Sequence, residues 1–212
     1  MGGGAGLLGV PRLRRARQVR LRRRGRVVTT VATVRQRVVS GAIELTTERG
    51  WQVVTMSDVA ARAEVSRQTV YNEFGSRTAL AEAMVLDELG RFLAVVDSSF
   101  ARHDGDLRAA VRSAVLGVLR LAQDSALLRE VVSPGAGELL PPLTTDAGAV
   151  LETATRAVDG HLRALAPGVA APRRSAVTDV LVRTVLSHVM LPSAPPRRTA
   201  DRLADVAADL LR

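Results

Sequence analysis

From residue 31 onward, apolar side chains recur three and four positions apart, and nowhere is the period-two alternation of a strand sustained. Val31, Val34, Val38, Ala42 and Leu45 form the first stripe, predicting a helix that ends near Gly50, where glycine tolerates left-handed backbone. Thr55 and Asp58, three apart, read as a capping pair for a short helix burying Val59, Ala60 and Ala63. A turn at Glu64 and Val65 leads to Ser66, a good N-cap residue for a third short helix. Two brief helices so closely spaced make a helix-turn-helix pattern.

A fourth helix is predicted from after Gly75 and Ser76 to about Phe100, with Ala81, Val85, Leu89, Phe92 and Val96 on one side and Leu86 and Leu93 widening the stripe. It is long enough to join two domains. "RHDGD" then reads as a loop, and further helical spacing covers about 106–123, 125–132, 144–165, 173–191 and 197–211. Prolines at 134, 141–142, 167, 172, 192 and 195–196 punctuate these segments, and the expected fold is all α.

Composition narrows the class. With 212 residues and 47% hydrophobic content the chain can bury a real core. No apolar run reaches the roughly 18 to 20 residues needed to span a bilayer. The short apolar piece Leu7, Leu8 and Val10 precedes the arginines, the reverse of a signal peptide. The absence of cysteine excludes disulfides and thiolate-bound metals, and it suits a cytoplasmic protein.

The net charge of +9 is local. All thirty basic residues are arginine; eleven fall in residues 1–43, which hold no acid, leaving nineteen against twenty-one acids in the rest. Three parts are expected: a basic arm over 1–26, disordered in isolation, a helix-turn-helix domain over 27–76, and a helical domain over 77–212. The arm reads first as a DNA-seeking segment, then as a solvated tail, then as an extension upstream of a true start near Val27 or Val28. A rival function takes the arm, with Val10, Leu13, Val19 and Leu21, as an attachment to anionic lipid, although it lacks Trp or Phe anchors.

On a helix capped by Ser66, Val70 and Phe74 share the inward face, Arg67 pairs with Tyr71 on the outside, and Gln68 pairs with Asn72. Thr69 lies at the boundary. Such a set suits a major groove: Arg bonds guanine, Gln or Asn bonds adenine, a Thr methyl touches thymine, and a Tyr hydroxyl reaches phosphate. A polar outer face is also normal on any amphipathic helix. The capped helix before it and the supporting helix before that favour the DNA reading. Thr55 and Ser57 at the start of the second helix, and Arg77 inside the fourth, are then candidates for phosphate contact.

Within 34–80 the chain reads, in order, Gly50-Trp51, Thr55-Met56-Ser57-Asp58-Val59-Ala60, Val65-Ser66, Thr69-Val70-Tyr71-Asn72-Glu73-Phe74, and Arg77 with Leu80. In these motifs the span resembles the TetR family of bacterial transcriptional regulators. The resemblance implies DNA contacts by Gln68, Thr69 and Tyr71, flanked by Ser66, Arg67 and Asn72, with Thr55, Ser57 and Arg77 on the backbone. Glu64 departs from the family, whose members commonly have glycine at that turn, and Arg77 replaces a frequent lysine. The family further implies a repressor acting as a homodimer on double-stranded DNA with a palindromic operator. Its last two long helices would associate through Val180, Leu181, Val185, Leu186 and Val189, then Leu203, Val206, Leu210 and Leu211.

The resemblance also implies a small-molecule effector held by the C-terminal part, without naming its residues. Trp51, Tyr71, Phe74, Phe92 and Phe100 are the only aromatics, and none follows residue 100. Stacking is therefore not expected from that half, and an aliphatic ligand is. His103, His161 and His188 lack metal-ligand spacing, and Asp159 and His161, two apart, do not share a helix face. No nucleophile elbow, P-loop or dinucleotide fingerprint is present, so neither an enzyme nor a cofactor or metal is expected.

Overall fold

The computed structural model describes residues 32–133 and 137–212, and among them every regular element is helical. The basic arm, with all three of its readings and the lipid alternative, lies outside the described residues, as does Val31.

α1 (Val34–Arg49) starts later than its apolar stripe because Thr33 and Gln36 form a capping box: Gln36 N–H donates to Thr33 Oγ1 at 3.2 Å and Thr33 N–H to Gln36 Oε1 at 2.8 Å. It ends at Gly50, whose φ of 79° is open to glycine at little cost. A single 3₁₀ turn, Trp51–Val53, drops the Trp51 ring into the core. α2 (Met56–Arg62) and α3 (Arg67–Phe74) follow, capped by Thr55 and Ser66. α4 (Arg77–Arg102) opens at Ser76, whose hydroxyl accepts from Ala79 N–H at 3.0 Å.

α5 (Leu107–Asp124) is capped by Asp106 and α6 (Ala126–Val131) by Ser125. Single 3₁₀ turns at Gly137–Leu139 and Pro141–Leu143 precede α7 (Gly148–Leu165), which is why that helix begins after the predicted position 144. α8 (Ala171–Met190) and α9 (Pro196–Leu210) have proline in their first turn, where the missing N–H costs no helical bond.

Two cores result. The first gathers α1, α2, α3 and the N-terminal half of α4 with Leu127, Leu128 and Val131 of α6, then Leu139, Leu143 and Val150. The second gathers Val96 and Phe100 of α4 with α5, α7, α8 and α9. α4 thus contributes to both, and residues 32–212 form one compact unit. Across α5 and α9, Arg108 pairs with Asp205 at 2.6 Å and Arg112 with Asp201 at 2.5 Å. Asp159 of α7 binds Arg163 and the buried Arg174 of α8, which together hold its carboxyl below the usual aspartate range. Among the described residues no helix is long and apolar enough to cross a membrane.

Candidate nucleic-acid interface

α3 is fixed by two inward side chains: Val70 is fully buried and Phe74 nearly so, with the Arg35 guanidinium 4.4 Å over the Phe74 ring. Arg35 also donates to the Glu73 carbonyl at 3.1 Å, tying the end of α3 to α1. α2 is tied to α1 by Arg62, which bonds Glu44 at 3.0 Å and Glu48 at 2.7 Å. Glu48, followed by Glu44, raises the Arg62 pKa, and Arg62 lowers that of Glu48. The Arg62 stem can cross α1 because residue 41 is glycine; a Cβ there would stand 3.0 Å from Arg62 Cγ.

On that scaffold the outward face of α3 is a row of paired polar groups. Arg67 lies with its guanidinium 5.4 Å from the Tyr71 ring centre and donates to the Tyr71 hydroxyl at 3.5 Å. Gln68 donates its side-chain amide to Asn72 Oδ1 at 2.9 Å. Ser66 and Thr69 hydroxyls are 2.8 Å apart, and Ser66 Oγ also accepts from Thr69 N–H at 3.0 Å. Arg67, Gln68, Tyr71 and Asn72 are exposed and Thr69 is half-buried. Thr55 is engaged in its own capping box, donating to Asp58 Oδ2 at 2.6 Å and accepting from Asp58 N–H at 3.2 Å, while Ser57 beside it is exposed.

Glu64 has φ 54°, the only positive φ outside glycine among the described residues, so the turn keeps the left-handed backbone that the usual glycine would supply. Arg77, expected on the outside, turns inward. Its Nε donates to the Val54 carbonyl at 3.2 Å, its Nη2 to the Trp51 carbonyl, and its Nη1 to Glu138 at 2.5 Å, with the guanidinium 4.2 Å from the Trp51 ring centre. Sequence spacing puts Arg77 in the first turn of α4 but cannot reveal Glu138, 61 residues away, as its partner.

The C-terminal part holds a cavity of about 150 Å³ between α4, α5, α6, α7 and α8. Its wall is hydrocarbon, including Leu89, Val115, Val150, Leu151 and Val182. The expectation of a wall without aromatics is corrected by Phe92 and Phe100, which α4 contributes from before residue 101. Among the described residues Glu88 is the one charged residue of the lining; it is 2% exposed and accepts from Ser125 Oγ at 2.6 Å and Arg91 at 2.7 Å.

The aliphatic residues expected at a dimer contact divide between faces. Val180, Val206 and Leu210 are exposed at 51%, 47% and 41%. Leu181 and Leu211 are buried in the chain's own second core, and Leu203 packs against it. Leu181, Val185, Leu186 and Val189 line the cavity. Helical periodicity shows that α8 is apolar on more than one side but not which side faces inward. His161 bonds Asp97 at 2.7 Å and stacks on Phe100, with ring centres 4.6 Å apart, while Asp159 faces α8. Among the described residues no group of three His, Asp or Glu side chains is placed to hold a metal ion.

Residues 38–84 match the model for bacterial regulatory proteins of the tetR family, and residues 106–209 match that for the C-terminal domain of the bacterial tetracyclin repressor. The HTH-type transcriptional regulator AlkX of Mycobacterium tuberculosis is 32% identical over 185 residues, covering 85% of this chain and 83% of the relative. The crystal structure of the TetR family repressor AlkX from a Dietzia species, a protein implicated in biodegradation of n-alkanes, is 32% identical. It superposes with a TM-score of 0.73 over 82% of this chain and 96% of that one. RolR in complex with resorcinol shares the fold at 17% identity and a TM-score of 0.60, covering 84% of this chain and 91% of its own.

Proposed function

This chain belongs to the TetR family of bacterial regulators, and from that premise we propose that it is a ligand-responsive repressor that binds a palindromic operator as a homodimer and leaves it when a small aliphatic molecule is bound. That it is a transcriptional regulator with a helix-turn-helix follows from the family. A regulator of bacterial transcription works in the cytoplasm, without catalysis.

The observation that carries the DNA reading is the outward row of α3, held rigid by buried Val70 and Phe74. Gln68, Thr69 and Tyr71 enter the major groove with Arg67 and Asn72 at its edges, and Thr55, Ser57 and Ser66 meet phosphates. Arg77 braces the head instead. Val180, Val206 and Leu210, large apolar side chains left exposed on α8 and α9, form the two-fold contact.

The hydrocarbon cavity supports an aliphatic effector, as does the likeness to a repressor implicated in n-alkane biodegradation. Selection of genomic fragments by the full-length protein tests the reading. Recovered fragments should share two-fold-related half-sites, and fragments with no common sequence would overturn it. For the effector, 1-octanol or octanoate should raise the melting temperature and release the selected DNA. A polar aromatic compound doing both while neither chain does would refute the aliphatic assignment.

A further inference from the structure

Three residues far apart in sequence meet where α4 begins. Glu138 Oε2 accepts from the Trp51 indole N–H at 2.9 Å and from Arg77 Nη1 at 2.5 Å. Arg77 in turn holds the backbone carbonyls of Trp51 and Val54. Trp51 and Val54 belong to the connection between α1 and α2, so one carboxylate oxygen ties the base of the DNA-binding head to the chain that follows α6. That same short chain reaches the cavity. Leu139, the next residue, is fully buried in the first core, and Leu143, one 3₁₀ turn further, forms part of the cavity wall. Gly137, on the other side of Glu138, lies against Gln52; a Cβ there would stand 3.5 Å from Gln52 Nε2.

We propose that Glu138 is a positioning residue for the DNA-binding head, and that occupation of the cavity acts on the head through the segment Gly137–Leu143. The proposal rests on the reading of α3 as the DNA-binding element and of the cavity as the effector site. A single oxygen shared by a charged and a neutral donor holds both only in a narrow range of positions, and moving it leaves the indole N–H unpaired. Packed segments shift between discrete arrangements rather than stretching, so displacement of Leu143 by a bound chain carries Leu139 and Glu138 with it. The effector favours the arrangement with the wider cavity, and that arrangement has Glu138 off Trp51.

Trp51 is the only tryptophan in the protein, so its emission reports this contact without a label. The experiment compares full-length wild type with Glu138→Ala, Glu138→Gln and a cavity-filling variant, Ala154→Phe, whose site lies in the cavity wall. Glu138→Ala should shift Trp51 emission and weaken binding to the selected operator by about fivefold or more, the scale of a site-to-site coupling, with helical circular dichroism unchanged. Glu138→Gln, which keeps an acceptor for the indole but loses the charge facing Arg77, should fall between. Ala154→Phe should move the emission in the same direction with no ligand added, and its combination with Glu138→Ala should add no further shift.

Unchanged emission in a folded Ala154→Phe overturns the relay, and wild-type operator affinity in both Glu138 variants overturns the positioning role. Should Ala154→Phe fail to fold, Val182→Phe fills the same cavity from α8 and decides the same point. If the wild type selects no DNA, the DNA reading itself fails, whereas the emission comparison needs no DNA and still decides the relay.

Discussion

Gln68 and Asn72 hold each other on the open face of α3, the Gln68 amide donating to Asn72 Oδ1 at 2.9 Å, one helical turn apart. A Gln side chain free in water samples many rotamers; one tethered to its i+4 neighbour presents its remaining amide atoms in fewer directions. Gln68→Ala should therefore do more than delete one contact, because Asn72 is released as well. Base preference at the position read by Gln68 should relax by about 1–3 kcal/mol, measured by competition between operators differing at single base pairs. Equal discrimination in the variant and the wild type would remove Gln68 from the groove.

Arg67 and Arg77 should separate in their response to salt. Arg67 is exposed on the outer face, and its replacement by alanine should lower the slope of log affinity against log salt by about one. Arg77 is a third exposed and has each guanidinium nitrogen engaged within the protein. Arg77→Ala should leave the slope unchanged and lower stability by about 1–2 kcal/mol, a figure reduced for its partial exposure. A salt titration of operator binding, with thermal melts of both variants, checks the pair.

At Glu64 the backbone and the residue disagree. A φ of 54° costs a non-glycine residue about 1 kcal/mol, and glycine's extra freedom in the unfolded chain offsets part of the relief. Glu64→Gly should raise the melting temperature by no more than about 4 °C. It also removes a carboxylate beside the proposed DNA face, so operator affinity should rise at low salt and converge with wild type at high salt. A lower melting temperature in Glu64→Gly would show that the turn is not strained.

The cap of α2 predicts an acid response. The Thr55 hydroxyl and backbone N–H both donate to Asp58 and hold its carboxyl below the ordinary value of 3.8. As pH falls, the unfolded chain takes up this proton before the folded one does. The stabilisation is therefore complete above about that value and lost as pH drops through the folded pKa. Asp58→Ala should melt below wild type at neutral pH, and the gap should narrow in melts carried below pH 3.8. A gap independent of pH would mean that the carboxylate charge contributes nothing to the cap.

Most of the helices were legible because each rests on local chemistry. Ser66, Ser76 and Asp106 stand as caps where the sequence turns from polar to periodic, and Gly50 and Gly75 close helices with positive φ. The α3 face was legible for the same reason, since i and i+4 neighbours on a short helix need no tertiary information. What stayed hidden depends on distant partners. Arg77, read from the sequence as a phosphate contact, has Glu138 beside it, and Phe92 and Phe100, which precede residue 101, line the cavity from α4. α8 was the hardest case, with apolar residues on several sides and only packing to sort them.

Val180 and Leu181 are adjacent in sequence but lie on different sides of α8: Val180 is 51% exposed and Leu181 is 6% exposed, against the cavity. If the outer face is the two-fold contact, Val180→Asp should place a charge in a desolvated apolar interface and shift the protein toward monomer mass, most strongly when combined with Leu210→Asp. Each protomer should keep its helical signal, because neither side chain contributes to the core. Leu181→Ala should behave in the opposite sense, costing about 2–4 kcal/mol of stability through the space it leaves, with less effect on association. Sedimentation of the variants beside thermal melts separates the two faces. A Val180→Asp, Leu210→Asp protein that sediments as the wild type does would remove this face from the dimer.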